Sequence, residues 1–151
     1  MTPEEQKDLL LRVVIRVAGQ QLESGGLMPF GATLGSERDV KLLMPKSFKK
    51  DPTRDEVESY WAQELRKAIA DGSRETACSC ADVRVPMEDG SFVPGVLVHI
   101  EHAESSAEDI LYPYYNHDGS VVFREPTRVV TKRHIFIPQD QEVRDQGPGT
   151  R

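Results

Sequence analysis

The sequence predicts an α+β fold: an antiparallel sheet of five to seven strands with two helices, in the order α-β-β-α-β-β-β-β. Three observations point there. Two long stretches repeat apolar residues at helical spacing behind capping-box signals, the first opening at Thr2 and the second at Thr53. The triplet Asp-Gly-Ser, a turn sequence, begins at residues 71, 89 and 118. Around and beyond those turns, β-branched and aromatic residues alternate with polar ones, as half-buried strands require.

Taken in order, the first helix has Thr2 as N-cap, Pro3 at its first position and Glu5 closing the capping box, and Gly25-Gly26 ends it. Its apolar residues form two stripes. Leu10, Val13, Val14 and Val17 suffice to meet a sheet, while Leu11, Ile15, Ala18 and Leu22 form a second stripe at heptad-like spacing. A sheet covers one side of a helix, so Leu11, Ile15 and Leu22 are expected to be partner-binding, covered by a second copy of the chain. The competing expectation is that 129–137 or 27–30 folds over them. Strands over 29–35 and 39–44 follow, joined by Ser36-Glu37-Arg38. The second helix opens at Asp51-Pro52-Thr53 with Glu56 completing a capping box, carries Val57, Tyr60, Trp61, Leu65, Ala68 and Ile69, and stops at Asp71-Gly72-Ser73. Both helices are expected on one face of the sheet.

The central ladder, Thr76 to Glu101, folds about Glu88-Asp89-Gly90-Ser91. A two-residue turn at Asp89-Gly90 sets Val83 opposite Val96, Ala81 opposite Val98 and Ser79 opposite Ile100. That register buries Val83, Val96, Val98 and Ile100 and collects Cys78, Cys80, Asp82 and Arg84 with Leu97, His99 and Glu101 on the other face. An acidic loop spans His102 to Asp109. A further hairpin turns at Asp118-Gly119, pairing Tyr115 with Val122 and Tyr114 with Phe123. Pro113 marks an edge or a bulge, because it cannot donate to a ladder. A short strand within 129–137 closes a single domain, 1–137, and 138–151 reads as a polar tail.

The 151 residues suit one domain with a real core, at 38% hydrophobic and 29% charged. The net charge of −6 speaks against nucleic acid, whose phosphates demand a basic face. Lys46, Lys49 and Lys50, and Arg128, Lys132, Arg133 and His134, fit solvated loops and strand edges. No apolar run reaches the ~20 residues a membrane span needs, so no membrane partner is expected. The acidic start lacks the basic region of a secretory signal, and two cysteines one residue apart make poor disulfide partners. A reduced, cytoplasmic protein is expected.

Chemistry is sparse. Gly26-Leu27-Met28-Pro29-Phe30-Gly31 has phosphate-loop glycine spacing, but Ala32-Thr33 replaces the Lys-Ser/Thr pair and a strand follows instead of a helix. Phe30 and Met28 are expected to seal the core's end instead. The best constellation is Cys78, Cys80, His99 and Glu101, which could hold zinc with Asp82 in reserve. Structural, buried cysteines compete with that reading. His99 and His102 point to opposite faces, and a solvated His102 is expected. Asp82 and Glu101 on one face suggest paired carboxylates, with a cross-strand pair to Arg84 as the plainer account. Tyr112 and Tyr114 take one side and Tyr115 the other, so Tyr112 and Tyr115 join the partner-binding candidates. No catalytic residue is assigned.

The element order is similar to profilin-like and roadblock-like domains. The phrase Gly26-Leu27-Met28-Pro29-Phe30-Gly31-Ala32 resembles the opening of small uncharacterised bacterial proteins and brings no catalytic residue with it. The expectation is a non-enzymatic protein-binding module of adaptor, regulatory or immunity type, needing no cofactor and forming a homodimer or meeting another protein. The alternative is a small-ligand or metal-binding protein, or a small enzyme, on the Cys78/Cys80/His99/Glu101 face.

Overall fold

The computed structural model describes residues 1–45 and 52–137. Lys46, Lys49, Lys50, Asp51 and the tail 138–151 lie outside them. Helix α1 spans Pro3–Glu23, followed by strands β1 (Phe30–Gly35) and β2 (Val40–Leu43) and helix α2 (Arg54–Ile69). Strands β3 (Arg74–Pro86), β4 (Phe92–His102), β5 (Ala107–His117), β6 (Ser120–Phe123) and β7 (Thr127–Thr131) follow among the described residues. The sheet runs β2-β1-β3-β4-β5-β6, with β7 also pairing β5, and every pairing is antiparallel. This is the expected α+β class and element order.

Both capping boxes form. Thr2 accepts from the Glu5 amide while Glu5 accepts from the Thr2 amide, and Thr53 and Glu56 repeat the exchange at α2. Each box satisfies two of the four amides a helix start leaves unpaired.

The helices lie on opposite faces of the sheet, which corrects the one-faced arrangement. Helix α1 packs Leu10, Leu11, Val14 and Ala18 onto Phe30, Ala32, Leu34, Cys78, Cys80, Val96, Val98, Ile100 and Ile110. Helix α2 packs Trp61 and Leu65 with Ala77 and Ile135 on the other side. Gly31 makes room for it: a Cβ there would sit 2.8 Å from the Trp61 ring. Two cores follow from alternation along one set of strands, since successive residues face opposite ways.

The second stripe of α1 is not a free surface. Leu11 is 4% exposed and Ala18 fully buried, and Ile15 and Leu22 pack partly buried against the same core. The cover comes from the β5–β6 hairpin, which curls Tyr112, Tyr114, Val121 and Phe123 over the helix, with Leu27 beside them. Gly19 lets Phe123 approach closely. Twist accumulated across the strands wraps a sheet around a helix further than one flat face would reach.

Pro113 sits where β5 changes partner. Residues 107–111 pair with β7 and 114–117 with β6, and the Pro113 carbonyl accepts from the Arg124 amide at 2.7 Å. The donor that proline lacks therefore falls at the break between two ladders.

Candidate functional site

The β3–β4 register decides what chemistry this chain can do. Cys78 pairs with Ile100, Ser79 with His99, Cys80 with Val98, Ala81 with Leu97 and Asp82 with Val96, one residue off the expected ladder. The cause is the turn. The Met87 amide donates to the Ser91 carbonyl at 2.8 Å and the Gly90 amide to Met87 at 3.0 Å, closing a three-residue loop, Glu88-Asp89-Gly90. Only Gly90 takes a positive φ, +88°. The Asp89 carboxylate accepts the Ser91 amide at 2.9 Å, holding it in the loop. An odd-numbered loop in place of an even one flips every partner to the other face.

That flip dissolves the zinc reading. Cys78 and Cys80 lie in the α1 core, whereas His99 and Glu101 face α2, so the thiols and the imidazole are separated by the sheet. Burial pushes both thiols well above their ordinary pKa, which makes them small hydrophobes and poor nucleophiles. Among the described residues, no three His, Cys, Asp or Glu side chains are grouped so as to hold a metal ion. Asp82 also leaves the set: it faces α1, accepts from the Tyr114 hydroxyl at 3.2 Å and does not meet Glu101. Arg84 stacks on the Phe92 ring, 4.8 Å away, and forms no cross-strand pair with either carboxylate. Val83 is half-buried on the α2 side, while Val96, Val98 and Ile100 are fully buried as expected.

His99 and Glu101 instead build a buried latch. His99 Nδ1 meets Asp109 at 2.8 Å and Nε2 meets Glu101 at 2.6 Å. Burial works against charge on the ring, but hydrogen bonds to Asp109 and Glu101 outweigh it and raise the pKa to about 9. Glu101 is fully buried and accepts backbone amides from His134 at 2.6 Å, Ile135 at 3.1 Å and Phe136 at 3.0 Å. Burial raises its pKa, while His99 and the amides overcome that and hold it below the usual range. Three consecutive N–H groups on one carboxylate pin residues 134–136 across the sheet and seat Ile135 against Trp61 and Leu65. Both ring nitrogens of His99 are spoken for, so it has no free position for proton transfer.

Other polar groups are engaged likewise. His102 is buried, not solvated: Nε2 donates to Gln6, and Nδ1 accepts from the Glu104 amide at 2.9 Å, a neutral tautomer in keeping with its lowered pKa. Lys7, fully buried, donates to Glu108 at 2.6 Å, and Arg128 meets Glu108 twice at 3.0 Å. Arg133 donates to the carbonyls of Ala103, Ser105 and Phe136. The basic residues near the end of the described chain are thus largely structural. Met28 is 54% exposed and seals nothing, in contrast to buried Phe30.

What is left open is surface. A groove of about 710 Å³ runs between the first turns of α2 and the sheet, floored by Ser79, Ala81, Val83, Leu97 and His99 and walled by Leu27, Pro29, Val57 and Arg54. The floor continues past the groove onto β5, where Leu111 pairs with Leu97, and reaches Tyr115, Val122 and Val129. The chain matches no family model, no curated protein and no solved structure among those compared. Function must therefore be argued from this surface. Of the partner-binding candidates read from sequence, Tyr115 lies on it, 42% exposed, while Leu11, Ile15, Leu22 and Tyr112 belong to the α1 core. Alternation along β4 already sets Leu97 and His99 on this face; the β3 share of the floor, Ala81 and Val83, was hidden because it depends on a loop length of three in place of two.

Proposed function

We propose that this chain is a non-enzymatic protein-binding module whose binding surface is the half of the sheet that α2 leaves uncovered. One observation carries the reading. The apolar residues facing α1 are sealed, with Val96, Val98, Ile100 and Ile110 all 0% exposed, whereas Ala81, Val83, Leu97 and Leu111 on the reverse of the same strands keep part of their surface in water. Contiguous apolar surface of that kind marks an interaction site in a folded protein. The supporting chemistry is that the reactive groups have structural duties: the thiols are buried and His99 is bridged between two carboxylates. Free, buried thiols also suit a reducing, cytoplasmic setting.

A photo-crosslinking amino acid at position 97, compared with one at exposed Gln63 on α2, tests the reading in cells producing the chain. Protein adducts at 97 and none at 63 are expected. Absence of adducts at 97 would defeat it.

The groove also gives a second reading some support, a small apolar ligand between Val57 and Leu97, since about 710 Å³ lies within the range of ligand sites. Such a ligand would be protein-independent, and equilibrium dialysis against a panel of apolar fluorescent probes, competed by extract lipids and metabolites, would reveal it.

A further inference from the structure

We infer that the partner is a second copy of this chain, docked sheet face to sheet face across Ala81, Val83, Leu97, Leu111, Tyr115 and Val129; the inference rests on the binding reading above. Two properties of the chain select this occupant. The segments outside the described residues are poor covers for an apolar face: 46–51 reads Lys-Ser-Phe-Lys-Lys-Asp, and 138–151 holds Val143 as its one large aliphatic residue. The charged groups in and around the patch balance in sign, with Arg54, Arg84, His99 and Arg124 against Glu58, Asp82, Glu101 and Asp109. Arg54 meets Glu58 at 2.9 Å, His99 lies between Asp109 and Glu101, and Arg124 stacks 5.2 Å from the Tyr115 ring centre. The patch is consequently close to neutral on a chain of net charge −6, so two copies approach across it with little repulsion.

Geometry narrows the arrangement. Sheets stack about 10 Å apart, the same spacing that α2 needs above its own strands. A two-fold axis across the strands would drive the two α2 helices into each other. An axis along the strands sets β3 against β6 of the other copy and leaves each α2 flanking its partner's outer edge. Four strand positions at ~4.8 Å by three same-face residues at ~6.7 Å give a face of roughly 400 Å² per copy, apolar at its centre and polar at Ser79, Asp109 and Thr127. A stable interface buries about 800 Å² per partner, so the rim at Arg54, Glu58 and Arg124 must supply the rest. Such a dimer dissociates on dilution.

Light scattering after size exclusion, on the full chain over a concentration series reaching high micromolar, tests this. The expected result is a mass of twice 17.0 kDa at the upper end and a shift to the single-chain mass for Leu97→Glu and for Val129→Lys. Val129 is 54% exposed, so its substitution should leave the fold intact, and native emission from the lone tryptophan, Trp61, checks that both variants have folded. A wild-type single-chain mass throughout the series overturns the dimer, as does a dimer indifferent to both substitutions. The crosslink at position 97 separates the two failures: an adduct of foreign mass removes the second copy and keeps the binding reading, whereas no adduct removes both.

Discussion

The two faces of the sheet are made by the same strands and have opposite fates. Toward α1, the even-numbered residues of β3, β4 and β5 interlock with one helix and a curled hairpin into a dry core that takes in both thiols. Toward α2, the odd-numbered residues divide among three neighbours: the helix itself over Gly31 and Ala77, the pinned segment 134–136 over Glu101, and open space over Leu97 and Leu111. The first face is held by apolar area, worth roughly 1.5–3 kcal/mol for each large side chain buried. The second combines a smaller apolar core around Trp61 and Leu65 with one buried carboxylate. The difference teaches where stability ends and recognition begins in a single sheet, and it is open to direct attack.

The widest separation is expected from one substitution moved by one residue. Val98→Asp places a charge in the closed core, where no partner offsets its desolvation, and should cost more than about 4 kcal/mol, leaving the chain unfolded. Leu97→Asp, next in sequence and facing the other way, should cost roughly 1 kcal/mol or less while altering self-association. Urea titrations followed by circular dichroism measure both. Equal costs would mean that the faces are not distinct.

A middle-sized effect belongs to the latch and shows in pH. His99 titrates at about 9 in the folded chain against an ordinary 6.5, so the folded state holds the proton more tightly. Its contribution is complete below pH 6.5 and is lost as pH rises through about 9. The full shift amounts to roughly 3 kcal/mol at 1.36 kcal/mol per unit. Glu101 and Asp109, both lowered, contribute in the opposite sense, with stability lost as pH falls below the carboxylate range. Wild-type stability should therefore decline from pH 6.5 to 8, short of thiol ionisation in the unfolded chain, and His99→Gln should flatten that slope. A decline that survives the substitution would detach the latch from His99. On the α1 face the thiols are far from titrating, but His102, with its lowered pKa, gains stability as pH rises through the ordinary histidine range, opposite in sign to His99, and this rise is what should remain in His99→Gln.

How much of this was legible in the sequence depends on the range of the interaction. Thr2 with Glu5 and Thr53 with Glu56 are three-residue signals, and both capping boxes form as read. The Asp118-Gly119 hairpin pairs Tyr114 with Phe123 and Tyr115 with Val122 as read, because a turn with both central residues at positive φ admits one register. Glu101 gave no such signal. Apart from His99, its partners lie 33 to 35 residues away and are backbone amides that any sequence supplies, and Asp109 reads as part of a loop. The placement of α1 and α2 on opposite faces was equally hidden, since it follows from which parity of β3 each helix meets.

The smallest expected effect tests what sorted the two faces in the first place. Asp-Gly-Ser occurs at 89–91 and at 118–120, yet the turns differ. At 118, aspartate and glycine both adopt positive φ, +51° and +83°, in a two-residue loop. At 89, aspartate stays in ordinary space and its carboxylate holds the Ser91 amide at 2.9 Å while Gly90 alone turns left-handed. Replacing each aspartate by glycine separates the two roles. Asp118→Gly relieves the cost of a β-carbon in the left-handed region, which offsets the extra freedom glycine gives the unfolded chain, so the urea midpoint should hold. Asp89→Gly gains no such relief and loses the side-chain acceptor, so its midpoint should fall. Matching shifts at the two sites would mean that side-chain bonding at Asp89 does not select the three-residue loop. The placement of His99 on the latch face, and of Cys80 in the core, would then need a cause outside the turn.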